Sequence, residues 1–585
     1  NHQTSVVHND GCATSPGSAR LAGRADSRCL QDVNTIRTAS RLDRQRRSHR
    51  VTLGLFGILF ATALSTQGVA AESVVELQTL AERETGTSPG GQKVELVNLN
   101  ADVAAQYLLR IDRKTYHLQF PPYTQVVLAE HGIRYAFPGG PAQDCQLGDG
   151  KNWTLRAEKG VAYTPVCGGR VFVRAALNGW QQKIKAPDTM RQSWTAWSED
   201  VSTPPDGDWV VRSTPPPAQL RAKHANTAIW APELGIVLRQ KKRARLQVGQ
   251  WYPAKRFADT FVSVIKLSHI PRELFKTFRK RVNPLSANSG AAQENALVHL
   301  IAMDLDTYTL NWVHGTEHPG VAWSRRHRLP RSNKHGPDGF SRLSPFVPAA
   351  AVSPADLPHT IGTFSGGFQR RHGAFKWGKR AKTADAHHYG FIEDGIVLSS
   401  LMPSLATVIG YNDGDVVLKT WTEADNRYLH QIRFARQNGV PLMINGGPDT
   451  VGEPGMLVGN WGHGNWSGSA KAELKTPRSA ACLVEQYRKR WLIYAYFFTH
   501  TPSGMARILQ AYACDYSVHL DMNSPGHAYF GLFTRKQPAL DTLEFSIEHL
   551  MTQMRAWDPS VNKKRTPRYL LKPEYKDFFY IMRRR

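Results

Sequence analysis

The chain has 585 residues, more than one hydrophobic core can organise, so two or three domains are expected. A hydrophobic content of 41% and 15 tryptophans exclude a disordered chain, and a formal net charge of +26 at pH 7 asks for an anionic counterpart. No nucleic-acid-binding motif accompanies that charge, so nucleic acid is not the expected partner.

Near the start, Arg44, Arg46, Arg47 and Arg50 precede an apolar run from Val51 to Leu64, closed by the small and polar residues Ser65 to Ala71. A basic flank, a short apolar core and small residues before Glu72 have the form of a secretory signal; a membrane span needs about 20 apolar residues. Residues 1–71 are therefore read as a leader, and the remainder as periplasmic or secreted with no transmembrane span. The leader carries nine Arg against four acids, so about +21 of the formal +26 stays with the remainder. Outside the cytosol the available polyanions are phosphorylated glycans and anionic envelope surfaces. Export suits the four cysteines beyond the leader. Cys145 with Cys167 and Cys482 with Cys514 read as two local disulfides, and no Cys-x-x-Cys zinc pattern is present.

Residues 72–200 show short alternating segments, such as Tyr107 to His117 and Arg170 to Ala175, and predict a β-rich domain. Residues 201–290 open with Pro204, Pro205, Pro215, Pro216 and Pro217 and turn basic, the composition of a linker region, with one helix near Pro271 to Arg281. Within them Lys241-Lys242-Arg243-Ala244-Arg245 is either a solvated loop or an anion contact, as is Arg325-Arg326-His327-Arg328 further on.

Residues 291–545 alternate strand-like and helix-like patterns. Val298 to Asp304 predicts a strand, and Asn412-Asp413-Gly414 predicts a hairpin turn between Thr407–Gly410 and Val416–Trp421. Thr422 predicts a helix start, with Leu429, Ile432 and Ala435 on one face and a stop at Asn438-Gly439. Pro441 to Ile444 predicts a short strand that runs into Asn445-Gly446-Gly447. Trp491 to Phe498 is a buried strand; Met505, Ile508, Leu509, Tyr512 and Ala513 make one helical face; Ser517 to Leu520 is the next strand. This order predicts a βαβ unit with parallel strands, which places His500 near Asp521. A helix is expected from Glu544, and 546–585 reads as a basic extension that packs on the preceding domain or meets an anionic surface. The expected fold class is mixed, α+β or α/β.

Three polar, glycine-bearing motifs carry the chemistry: Ser365-Gly366-Gly367-Phe368, Thr476-Pro477-Arg478-Ser479-Ala480, and His519-Leu520-Asp521-Met522-Asn523-Ser524-Pro525-Gly526. Gly366 and Gly367 let backbone amides approach an oxyanion or sugar closely, or simply make a tight turn. The guanidinium of Arg478 suits a phosphate or carboxylate, or a structural salt bridge. Asp521, at the end of an apolar strand, is acid, base or nucleophile, or else caps the following turn. Glycosidic cleavage needs a second proton carrier, for which His500 and His527 stand first by position, with Asp449 and Glu473 behind them. Ser365, Asn445, Gly446, Asn523, Ser524 and Trp461 are the further substrate-binding candidates; the loop Gly459 to Trp466 is a site wall or a plain lid. Asp385, His387 and His388 are half a metal site or a hydrated surface cluster. No metal and no cofactor is expected.

In their order these motifs resemble the phosphodiester glycosidase family over roughly residues 295–535. The family carries Asn-Gly-Gly-Phe-Phe, then Thr/Ser-Arg-Thr/Ser-Ala, then a strand, a helix and Leu-Asp-Gly-Gly-Gly-Ser. Here Ser365 stands at the family's Asn, Gln369 at its second aromatic, and Met522 and Asn523 at two of its glycines. The resemblance implies an exported hydrolase of a sugar phosphodiester or related linkage in a surface glycan. The alternative is a non-catalytic envelope protein that keeps the fold and binds glycan.

Overall fold

Runs of β-branched and aromatic residues dominate the chain beyond residue 73, and nearly all of them become strands. The computed structural model describes residues 73–157, 162–174, 213–271, 290–316, 343–368, 390–444, 450–455, 458, 475–539, 542–558, 560, 567–570 and 573–584. The leader, and the helix expected near Pro271 to Arg281 beyond its first residue, lie outside them. Among the described residues every strand pairs antiparallel with its neighbours, so the α+β half of the expected fold class is the one that describes the molecule.

The elements that position the site are β1 (Thr260–Lys266), β2 (Leu297–Asp304), β3 (Tyr308–Val313), β4 (Thr360–Ser365), β5 (Ala406–Tyr411), β6 (Val416–Thr420) and β7 (Ile432–Gln437). They continue with β8 (Thr476–Gln486), β9 (Lys489–His500), helix α1 (Pro502–Ala511), β10 (Tyr516–Met522), β11 (Phe530–Ala539), β12 (Thr542–His549) and β13 (Phe578–Arg583). An eight-stranded sheet has the central order β1-β2-β9-β8-β10, and a five-stranded sheet the order β3-β13-β4-β11-β12. Amino-terminal strands between Glu82 and Arg174 form a six-stranded sheet whose inner strands are buried on both faces, a three-stranded sheet covering one of them, while the edge strand Glu82–Thr87 is exposed. The disulfides Cys145–Cys167 and Cys482–Cys514 both form.

Three expectations are corrected, and one alternative is decided. The strand–helix–strand segment does not pair its strands with each other: β9 and β10 run in the same direction, but β8 lies between them and hydrogen-bonds to both. Residues 201–290 are not merely a linker, because β1 pairs along its whole length with β2; its Phe261, Val262, Val264 and Ile265 are buried core. Of the two alternatives for the tail, packing on the preceding domain is the one found: β13 is inserted between β3 and β4 and buries Phe578, Phe579, Tyr580 and Ile581. The helix expected from Glu544 is instead β12, followed by a 3-10 turn at Thr552–Trp557.

The helix expected from Thr422 does start there, but as a 3-10 helix that ends at Gln431, and its expected continuation to Asn438 is a strand. Asp425 turns back on Thr422, accepting its amide at 2.9 Å and its hydroxyl at 2.8 Å, which closes a 3-10 turn over Glu423–Gln431. The residues after it alternate into β7, which pairs with β5 and ends where Asn438 begins. The hairpin at Asn412–Gly414 forms between β5 and β6 as expected.

Candidate functional site

The end of β10 is where the two large sheets meet. Beyond Ser365 the chain of β4 continues into Gly366, whose carbonyl accepts the Asp521 amide at 3.0 Å and whose amide donates to the Asp577 carbonyl at 2.9 Å. On its other side β10 pairs with β8, but Ala480 faces His519 whereas Arg478 faces Met522, so β10 carries one extra residue there. Such a bulge re-aims side chains. It leaves the Ser479 hydroxyl donating to the Asp521 carbonyl at 2.9 Å and the Asn523 amide donating to the Pro477 carbonyl at 2.7 Å. Asp521, Arg478, His500 and the glycine pair are therefore neighbours in the backbone, yet their side chains divide into two groups on either side of Met522.

The first group is Asp521, Lys576 and His527. One carboxylate oxygen of Asp521 accepts the Met522 amide at 2.8 Å, and the other forms a short ion pair with the Lys576 ammonium. Both residues are buried. The His527 Nδ1 lies 3.0 Å from the Met522 carbonyl, which only accepts, so the proton sits on Nδ1 and Nε2 keeps its lone pair when the ring is neutral. Burial first, and then the Lys576 ammonium, hold His527 below the usual histidine range; Asp521 pulls the other way. Among the described residues this is a buried carboxylate beside a neutral, half-buried imidazole.

The second group surrounds Arg478, which is wholly buried in β8. Its Nε donates to the His500 carbonyl at 2.8 Å, and its Nη1 reaches His519 Nε2 at 3.4 Å and the Met522 sulfur at 3.3 Å. Burial alone pushes its guanidinium down to about 9. His500, fully buried, falls to about 3 through burial and then the positive charges of Arg478 and Arg507; burial and Arg478 likewise hold His519 well below the usual range. Both histidines are neutral at pH 7. Among the described residues neither ring nitrogen of His500 has a hydrogen-bond partner, nor has the hydroxyl of Ser503 in the first turn of α1, although both residues are buried. Phe497 packs edge-on against His500 and Phe368 against His519, so these donors sit in a water-poor setting where a guanidinium suits an oxyanion.

Beneath both groups lies an ion pair that explains the glycines. Asp577 accepts from Arg436 Nε at 2.8 Å and Nη2 at 3.2 Å, from the Trp312 indole at 3.0 Å and from the Gly367 amide at 3.3 Å. A Cβ on Gly366 would lie 2.0 Å from the Asp577 carboxylate, and one on Gly367 would lie 2.6 Å from the Asn438 side chain. The glycines are there to admit the close approach of this pair. The two amides expected as open oxyanion donors are both engaged with Asp577, which corrects that reading.

Ser365 is buried, with its hydroxyl 2.8 Å from the Tyr569 hydroxyl and accepting the Tyr529 amide at 3.3 Å. Asn523 takes a positive φ of 81° at the exposed turn, where its side chain accepts from the Thr476 hydroxyl at 3.3 Å; Ser524 caps the His527 amide at 3.2 Å. Asn445, Gly446, Trp461, Asp449, Glu473 and the Asp385–His388 cluster lie outside the described residues. Lys576, Asp577, Arg436, Arg507 and His519 were missed as site residues. The only signal for the first two was a Lys-Asp pair directly before the apolar run Phe578–Met582, hidden by the basic character of the tail.

No protein-family model matches the chain, and no curated protein matches it. The catalytic domain of zebrafish N-acetylglucosamine-1-phosphodiester alpha-N-acetylglucosaminidase, auto-inhibited by its pro-peptide, has 11% identity and a TM-score of 0.29, over 66% of this chain and 100% of that one. A hypothetical protein from Synechocystis has 8% identity and a TM-score of 0.25, over 86% of this chain and 81% of that one. The resemblance is a weak structural one and assigns no family.

Proposed function

We propose that the chain is an exported hydrolase that cleaves a sugar phosphodiester, or a related linkage in a surface glycan, at the glycosidic carbon–oxygen bond. The observation that carries this reading is one buried carboxylate among the described residues, Asp521, flanked by Lys576 and His527 and one residue away from the buried Arg478 group. Cleavage of an ordinary glycoside needs two carboxyl groups, because the departing hydroxyl must be protonated. Among the described residues the other nearby carboxylate is Asp577, which is saturated by Arg436, Trp312 and Gly367 and offers no second acid. A phosphate leaving group removes that need. Its second pKa is about 6, so it departs as a stable anion without a proton from the enzyme.

In this scheme His527 Nε2 takes a proton from water, the water oxygen bonds to the anomeric carbon, and the anomeric C–O bond breaks with its electron pair going to the phosphate. Asp521 stabilises the positive charge that develops on the sugar ring, with Lys576 holding its carboxylate in place. Arg478, with His500, Ser503 and Arg507 around it, receives the phosphate; each well-placed donor contributes a few kcal/mol in a water-poor site. The two disulfides support an oxidising compartment, periplasmic or extracellular. No helix among the described residues is long and apolar enough to cross a membrane.

The test is hydrolysis of synthetic sugar phosphodiesters in 18O-labelled water. Label in the sugar and none in the phosphate is expected; label in the phosphate would mean P–O cleavage and would sink the scheme. A second reading, glycan binding without turnover, draws on the prior engagement of both Asp521 oxygens and both glycine amides. Tight binding of the same diesters with no product over long incubation would favour it.

A further inference from the structure

The basic run from Lys241 to Arg245 has no part in the hydrolytic centre, and its setting points to a separate role. Residues 228–256 contain one acid, Glu233, against Arg239, Lys241, Lys242, Arg243, Arg245, Lys255 and Arg256. The carrier is a two-stranded ribbon, Ala228–Trp230 against Arg245–Gln247. Ile229 pairs with Leu246, and both are buried, which pins the ribbon to the core. Strand alternation then turns Trp230 and its partner Arg245 outward, side by side at about 5 Å between Cβ atoms.

The tip beyond this pair is firmly built: the Ala244 amide donates to the Lys241 carbonyl at 2.8 Å, and the Ala231 amide to the Ala244 carbonyl at 3.3 Å. Lys241, Lys242, Arg243 and Arg245 are exposed, and none of them pairs with an acid among the described residues. The Glu233 carboxylate accepts the Trp230 amide at 3.2 Å, tied to the ribbon's own backbone. Two large apolar side chains stand among these cations: Trp230 is 55% exposed and Val237 45%. Val237 is fixed through its backbone, its carbonyl accepting the Lys255 amide at 2.8 Å and its amide donating to the Glu548 carboxylate at 2.7 Å, which leaves its side chain outward.

Four like charges on one short tip repel each other, and an exposed indole and isopropyl group gain nothing from water. A single surface relieves both. Anionic headgroups attract the cations, and the interfacial layer beneath takes up an indole, whose apolar body and N–H suit that boundary. A soluble polyanion would neutralise the charges but leave Val237 in water. We propose that this ribbon docks the protein on an anionic lipid bilayer, with Lys241, Lys242, Arg243 and Arg245 against the headgroups and Trp230 and Val237 in the interface.

The test is cosedimentation of the whole protein with phosphatidylcholine vesicles, with and without phosphatidylglycerol. Binding is expected only with the anionic lipid, and it weakens as salt rises. Each cation near the surface is worth about a factor of five, so R243Q should weaken binding by about fivefold and K241Q/K242Q/R243Q/R245Q by several hundredfold. W230S/V237S should weaken vesicle binding while leaving the melting temperature unchanged. Failure of the parent to bind the anionic vesicles, or equal binding by the fourfold variant, would overturn the proposal. So would W230S/V237S binding vesicles as the parent does while soluble polyphosphate competes, which would identify a polyanion site instead.

Discussion

Replacing Gly366 by alanine tests the construction of the site without any assumption about substrate. The added Cβ would lie 2.0 Å from the Asp577 carboxylate oxygen and 2.7 Å from its carbon, whereas ordinary contact begins at 3.4 Å. The carboxylate must therefore retreat by more than about 1 Å, or the strand end must shift with it. Retreat lengthens both Arg436 bonds, now 2.8 and 3.2 Å, and the Trp312 bond at 3.0 Å. Breaking a buried ion pair costs about 3–5 kcal/mol, and an orphaned indole N–H about 1–3 kcal/mol more. Because Asp577 is displaced and not deleted, the lower end of each range applies, and G366A should lose about 4 kcal/mol. Gly140 is the control: its Cβ would meet nothing nearer than the Phe137 carbonyl at 3.5 Å, so G140A should be neutral or up to about 1 kcal/mol stabilising. The assay is urea denaturation of both variants, followed by tryptophan fluorescence and by hydrogen exchange of residues 362–368. A G366A midpoint equal to that of G140A would refute the reasoning that the glycine exists to admit Asp577.

Three further outcomes are expected. D521A leaves the Lys576 ammonium buried without its partner and should cost about 3–5 kcal/mol as well as all turnover, whereas D521N/K576M should recover most of the stability and none of the activity; a D521A protein as stable as the parent would contradict the buried pair. H527Q should lower kcat by about 10²–10⁴ and abolish the acidic limb of the kcat/KM profile, which should lie below pH 6.5 because burial depresses that imidazole; an unchanged limb would remove His527 as the base. His500 stays neutral down to about 3 in the folded protein but takes a proton below about 6.5 when unfolded. Its contribution is thus complete above pH 6.5 and lost as pH falls toward 3, on the order of 5 kcal/mol in all, and H500F should flatten the stability–pH curve over that window; an equal slope in both proteins would count against it.

Much of the local structure was legible in the residues themselves. The apolar runs at Val298–Asp304 and Trp491–Phe498 are strands, a helix forms over Pro502–Ala511 although it stops short of Tyr512 and Ala513 and is buried nearly all round, Asn412-Asp413-Gly414 turns a hairpin, and both cysteine pairs close. These depend on neighbours a few residues away, or on pairs close enough in sequence to meet readily. The place of Asp521 at the end of its strand was readable for the same reason. The helix expected after Thr422 starts as a capped 3-10 helix but stops at Gln431, because pairing of the following residues with β5 outweighed helical periodicity.

What the tertiary structure alone decided is which distant segments face each other. Alternation announces a strand but not the edge it joins, so nothing in the sequence placed β8 between β9 and β10, or β13 between β3 and β4. The pairing of Asp521 with Lys576 spans 55 residues, and that of Arg436 with Asp577 spans 141. A charge finds its partner through distance and exclusion from water, and neither quantity exists until the sheets have packed.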